Sequence, residues 1–142
     1  MKKISTKSVW VSVFILVFCF LAFQPQTTHS QGKIGIARVW EGRTSVAKAD
    51  AYGRYLLDAG VPQFKAAAGN LGMEVLRRNN PDAVDFMVIS YWESREAIKK
   101  VVGEDIERAV ALPRDQEFLL QPVSTVRHFL ILYSDTSKLG NM

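Results

Sequence analysis

Residues 71–92, LGMEVLRRNNPDAVDFMVISYW, pattern as two β-strands around a tight polar connection, Asn79-Asn80-Pro81-Asp82. In the first run Leu71, Met73 and Val75 alternate with Gly72, Glu74 and Arg78, giving one apolar and one mostly wet face. The second run is apolar on both sides: Val84, Phe86 and Val88 share one face, and Met87, Ile89 and Tyr91 the other. A strand with two apolar faces needs cover on both.

Outward from this hairpin, each flank supplies a strand and a helix. Lys33 to Glu41 alternates as a strand with Ile36, Arg38 and Trp40 on one face. Gly42 to Ser45 should turn the chain, with Ser45 or Thr44 as N-cap. Val46 to Ala59 carries Val46, Ala49, Gly53, Leu56 and Leu57 near helical spacing, and Gly60 and Pro62 should stop that helix. On the other side Ser94 should cap a helix burying Ala97, Ile98, Val101 and Val102, ended by Gly103. A second short helix is expected over 104–111, until Leu112-Pro113. A connection with Phe118, Leu119 and Leu120 turned into the core should follow, then a last strand from Pro122 to Tyr133.

The order strand, helix, strand, strand, helix, strand predicts an α+β, ferredoxin-like βαββαβ fold. Right-handed crossovers place the first and third strands centrally and the helices on one face of an antiparallel sheet. The other face keeps apolar side chains that call for cover, and a homodimer packed sheet to sheet would supply it.

The first thirty residues read as a separate unit. Lys2, Lys3 and Lys7 precede the charge-free run VWVSVFILVFCFLAF (9–23), and a polar stretch leads to Thr28-His29-Ser30. This is the layout of a secretory signal peptide cut after Ser30, and it predicts export to the periplasm or medium. The alternative is an uncleaved membrane anchor, against which the apolar run is short of the roughly 20 residues that span a bilayer. Residues 31–133 form the domain, and 134–142 a polar tail expected to fray.

Of 18 Lys+Arg and 14 Asp+Glu, three lysines and no acids fall in residues 1–30, which leaves 15 against 14. The basic balance thus belongs to the leader, and nucleic acid is not implied as a partner. Cys19 is the sole cysteine, so the exported domain has no disulfide to hold it. One histidine after residue 30 does not make an ordinary zinc site, and phosphate-loop, GxGxxG and GxSxG motifs are absent from the sequence.

Residues 36–132 resemble the antibiotic-biosynthesis-monooxygenase-like proteins of the dimeric α/β-barrel superfamily. The resemblance runs through ARVWEGRT (37–44), GVPQFKAAAGNLGMEVLRR (60–78), VISYWESREAI (88–98), GEDIERAVALP (103–113) and VRHFLIL (126–132). It implies a dimeric barrel and a monooxygenase working on a small aromatic or polyketide-like ligand with no cofactor. Such substrates, once deprotonated, pass an electron to O₂, and the protein supplies a dry pocket, a base and anion stabilisation. The rival expectation is a non-catalytic ligand-binding or stress-related module of the same fold. Haem-degrading relatives use an asparagine on the first strand and a histidine on the helix after the third. Trp92 fits their tryptophan, but the first strand lacks the asparagine and residues 93–127 contain no histidine.

Candidate catalytic residues are His128 and Arg38. His128 is either base to a substrate hydroxyl or a satisfied sheet histidine. Arg38, between Ile36 and Trp40, either steadies an anionic ligand or pairs with a carboxylate such as Asp105 or Glu104. Trp40, Tyr91, Trp92 and Asp105 are candidate substrate-binding residues, the aromatics serving otherwise as core and rim packing. Glu107 is read as part of a solvated face.

Overall fold

Alternation in the first and third strand segments becomes the centre of a four-stranded antiparallel sheet. The computed structural model describes residues 35–135, and the leader, Cys19 and the expected cut after Ser30 lie outside the described residues. Strands β1 (Ile36–Thr44), β2 (Asn70–Asn79), β3 (Val84–Trp92) and β4 (Arg127–Leu130) are ordered β2-β3-β1-β4. This is the ferredoxin-like order, with the helices packed on one side.

β1 runs further than the expected turn at 42–45. Glu41 through Thr44 stay paired with Met87 back to Val84, and the Thr44 hydroxyl donates to the Phe118 carbonyl at 2.8 Å. In the hairpin, Asn80 N–H closes the turn onto Ala83 O at 2.9 Å. The register slips at its start, from Asn70 opposite Trp92 to Gly72 opposite Tyr91. The resulting bulge leaves Leu71 outside the Met73–Val75 face, 53% exposed.

The first connection stays helical through to Lys65. A 3-10 turn (Val46–Lys48) leads into α1 (Ala49–Tyr55), a π turn (Leu56–Gly60) and α2 (Val61–Lys65). Gly60 and Pro62 do not stop it. Pro62 stands in the first turn of α2, where its missing N–H is tolerated, and the chain widens into the π turn just before it. The buried stripe is Ala49, Tyr52, Leu56 and Gly60, an i, i+3, i+7, i+11 series. Val46 and Leu57, expected inside, are 54% and 55% exposed.

After β3, α3 (Arg95–Val102) is as expected. Ser94 Oγ accepts from Ala97 N–H at 3.1 Å, Ile98 is fully buried, and Gly103 ends the helix at φ 93°, a conformation that favours glycine. The helix expected over 104–111 does not form, and the last strand is shorter than its alternation. One cause accounts for the missing helix and for the late start of the strand. Ala109 N–H donates to Ser124 O at 2.9 Å and Val126 N–H to Glu107 O at 2.8 Å. The backbone groups that would build a helix are committed to the segment that would have extended β4. A short α4 (Asp115–Phe118) occupies the expected connection. Phe118 is buried, but Leu120 runs beside the end of β1 through its N–H to Arg43 O and leaves its side chain 53% exposed.

Two apolar clusters fill the layer between sheet and helices. One centres on Tyr52, with Trp40, Phe86 and Phe118 around it; Phe86 meets the Tyr52 ring edge-on at 5.4 Å. The other joins Trp92, Ala97, Ile98 and Ile106 beneath α3. Burying Ile98 alone is worth roughly 1.5–3 kcal/mol. On the opposite face lie Val39, Met87, Ile89, Tyr91, Leu76 and Phe129, the last two 45% and 48% exposed.

Candidate functional site

Arg38 of β1 stands opposite His128 of β4 in the strand register, so both side chains leave the same, helix-covered face. Arg38 is 4% exposed. Its Nη2 donates to the Arg108 carbonyl at 2.8 Å, while Nε is buried and has no partner among the described residues. Desolvation lowers the guanidinium pKa below its ordinary value, and the field of Glu107 partly opposes that. The expected pairing with Asp105 or Glu104 is not formed. Asp105 is exposed, and Glu104 binds Lys99 at 3.0 Å.

The His128 side chain is 2% exposed. Its Nδ1 lies 3.1 Å from Glu107 Oε1, and its Nε2 is buried without a partner among the described residues. Glu107 also lies 3.6 Å from Arg95 of α3. Because the expected helix gives way to a turn cross-linked to Ser124 and Val126, Glu107 reaches His128 of β4 while its side chain stays half exposed. Nothing in the spacing of Glu107 and His128, which share no periodic element, could have announced this contact.

Beside Arg38 is a small cavity of ≈ 50 Å³ between sheet and helices. Arg38, Trp40, Ser90, Tyr52 and Asp115 contribute its aromatic and polar groups, and Val88, Met73 and Phe64 are among its apolar walls. The Tyr52 hydroxyl donates to Asp115 Oδ1 at 3.1 Å and the Leu112 N–H to Oδ2 at 2.8 Å. Desolvation raises the Asp115 carboxyl above its usual range, and burial next to that carboxyl raises the Tyr52 phenol. Neither residue was singled out from sequence. The helical series 49, 52, 56 and 60 was the signal for Tyr52, and Asp115 had none.

The remaining candidates separate. Trp40 joins Arg38 at the cavity. Trp92 is fully buried, donates its indole N–H to Ser90 Oγ at 2.8 Å and packs edge-on against Phe64. It serves as core and not as pocket wall. Tyr91 lies on the opposite face of the sheet, where desolvation and then Glu74 raise its pKa. Arg38 and Trp40 are therefore brought together at the cavity; His128 neighbours Arg38 across the strands but does not line that cavity, and Tyr91 and Asp105 lie apart from it. Among the described residues no group of three His, Cys, Asp or Glu could hold a metal ion, and no helix is long and apolar enough to cross a membrane. Chemically, a buried cation and a neighbouring histidine, each with a nitrogen unpartnered among the described residues, suit an ionisable hydroxyl.

Comparison with known proteins points the same way for the fold. Residues 43–109 match the family model described as antibiotic biosynthesis monooxygenase. Among solved structures, a protein of unknown function from Nitrosomonas europaea has a TM-score of 0.55 at 16% identity, covering 72% of this chain and 94% of its own. An antibiotic biosynthesis monooxygenase-named protein from Bacillus cereus gives 0.48 at 14%, covering 72% and 96%. The cofactor-independent oxygenase SnoaB from Streptomyces nogalater gives 0.40 at 15%, also covering 72% and 96%. No curated protein matches the chain's sequence.

Proposed function

We propose, starting from a chain that is antibiotic biosynthesis monooxygenase-like over residues 43–109, that it oxygenates a small acidic aromatic or polyketide-like compound without metal or flavin. The observation that carries this reading is the buried Arg38, a residue of the inner cavity's wall whose Nε has no partner among the described residues and which stands opposite His128. A base removes a proton from an activated ring CH₂ or hydroxyl, and the anion is held beside Arg38. One electron passes to O₂, the radical pair combines to a hydroperoxide, and loss of water leaves a carbonyl. Overall, a CH₂ and one O₂ become a C=O and one H₂O.

Aerobic incubation with anthrones and hydroquinones should give O₂ uptake that falls on His128→Ala. Absence of uptake across a broad panel would sink the reading. A specific observation favours a second one, non-catalytic binding of a small ligand. The cavity, at ≈ 50 Å³, lies below the roughly 300 Å³ at which drug-sized pockets begin, so a polyketide must widen it. Saturable binding of such compounds with no O₂ consumed would support the second reading.

The same reading includes a homodimer through the open sheet face, supported by the apolar Val39, Met87, Ile89 and Phe129 there. An open groove of ≈ 810 Å³ continues that face past Leu76, Arg78 and Asp85 to residues 120–123, and a second subunit would occupy part of it. Export with cleavage after Ser30 completes the proposal. Mass spectrometry of the exported protein should find Gln31 at its N-terminus, and an intact leader would favour the anchor.

A further inference from the structure

Two of the buried side-chain atoms lacking a partner among the described residues are Arg38 Nε and His128 Nε2, and their residues are direct cross-strand neighbours on one face. Arg38 Nε is a donor in every state. The character of His128 Nε2 depends on what the other ring nitrogen does. Nδ1 lies 3.1 Å from a Glu107 carboxylate oxygen, which accepts only, so Nδ1 must carry the hydrogen. In the neutral ring Nε2 is then a bare lone pair. The charged groups around the imidazole are Glu107 from the turn after α3, Arg38 from β1 and Arg95 from α3, the last lying 3.6 Å from Glu107.

We infer that Glu107 is a positioning residue that fixes the His128 tautomer, so that His128 Nε2 and Arg38 Nε together form a receptor for the hydroxyl of a phenol or enol. This rests on the oxygenase reading for the chemistry that follows, but the receptor stands on its own geometry. The hydroxyl proton passes to Nε2, giving an imidazolium whose Nδ1–H stays with Glu107. The oxygen keeps the electron pair of the broken O–H bond as an anion facing the Arg38 Nε–H. Neither nitrogen gives up a hydrogen bond to the described residues to take the ligand, because neither has one among them. An ether or methylated phenol lacks the proton and would leave Nε2 unanswered, so the pair selects free hydroxyls.

Long-range proton–nitrogen NMR on the full chain tests this directly. His29 is the only other histidine, and a His29→Gln variant assigns the signals. The neutral His128 ring should carry its hydrogen on Nδ1 in the wild type. In Glu107→Gln the side-chain amide can donate to the ring, and a substantial share should move to the Nε2–H form. Arg95→Gln, which keeps the carboxylate, should leave the tautomer unchanged. Glu107 is half exposed, and the Arg95 variant monitors local damage that is unrelated to the carboxylate. A wild-type ring protonated on Nε2, or a Glu107→Gln ring with the wild-type tautomer, overturns the inference.

The second arm uses para-nitrophenol, whose anion is yellow. It should bind as the anion at a pH where the free compound is mostly neutral, shift the His128 ring nitrogens, and lose at least tenfold in affinity in Glu107→Gln. Binding as the neutral phenol, or no effect on His128, overturns the receptor. Absence of O₂ uptake with every substrate would remove the oxygenase reading while leaving both of these results intact.

Discussion

The Tyr52 hydroxyl donates to Asp115 Oδ1 across 3.1 Å with both residues buried, tying the roof helix to the short α4 at the wall of the inner cavity. Tyr52→Phe keeps the ring contacts and leaves Asp115 with one donor. It should cost about 1–3 kcal/mol, read from urea unfolding. No measurable change would mean that the bond carries no net stability.

The same carboxyl has a pH signature. Desolvation raises the Asp115 pKa above that of an unfolded-chain aspartate, so between the two values the native state holds the proton more tightly. Its contribution to stability is fully present below the unfolded value and is lost as pH rises through the native one. Asp50, Asp85 and Glu117 are shifted down by arginine partners and act in the opposite sense. Asp115→Asn isolates the one group. As pH falls from neutral to mildly acidic, the wild type should gain stability relative to Asp115→Asn, and a difference constant with pH would contradict the assignment.

Arg38→Met removes a desolvated guanidinium and also the donor to the Arg108 carbonyl. These effects oppose each other, each on the order of 1–3 kcal/mol. Thermal unfolding should therefore stay near wild type, while O₂ uptake, or ligand binding on the second reading, falls roughly 100-fold. A collapse in stability equal to the loss in function would make Arg38 structural.

Gly42 is a close-approach position. A Cβ there would run into the Trp40 indole and touch Leu119. Trp40 is held in the aromatic cluster, so its ring has little room to retreat. Gly42→Ala should destabilise by about 1–3 kcal/mol, as overpacked cores do, and disturb the cavity wall. Differential scanning calorimetry and Trp fluorescence would register both effects.

Ile89 lies at the middle of the open face, between Val39 and Glu74 in the register. Ile89→Arg should leave the fold intact, because the side chain points away from the helices, and should halve the mass found by sedimentation. A wild type that already sediments as one chain would remove the dimer.

Most of the sheet was legible in the sequence because period-two alternation survives burial. Arg38, Trp40, Phe86 and Val88 sit on the face that the pattern assigned. The losses came where one segment's hydrogen bonds were claimed by another far along the chain. Ser124 and Val126 took the backbone partners of 107–109, delaying the start of β4 and preventing a helix, and no local pattern records such competition. Glu107 is solvated as its pattern indicates, but its contact with His128 arises from the same irregular chain. Leu71 was misplaced because a single bulge shifts the alternation by one residue. At the site, Arg38 and His128 were visible as odd residues in apolar strands. Their partners were not, since contacts with Glu107 and the Arg108 carbonyl arise from irregular chain.

The π turn at Leu56–Gly60 has a further consequence. It stores one residue beyond what an α-helix would use, and each residue of an α-helix turns its successors by roughly 100°. Leu56, Gly60, Val61 and Phe64 all meet the cavity. Without the surplus residue, the stretch that bears Val61 and Phe64 would rotate to another bearing and the roof would lose its continuity. A single deletion at the exposed Leu57 therefore acts as a phase change: it would redraw the inner chamber while leaving its floor of strands untouched.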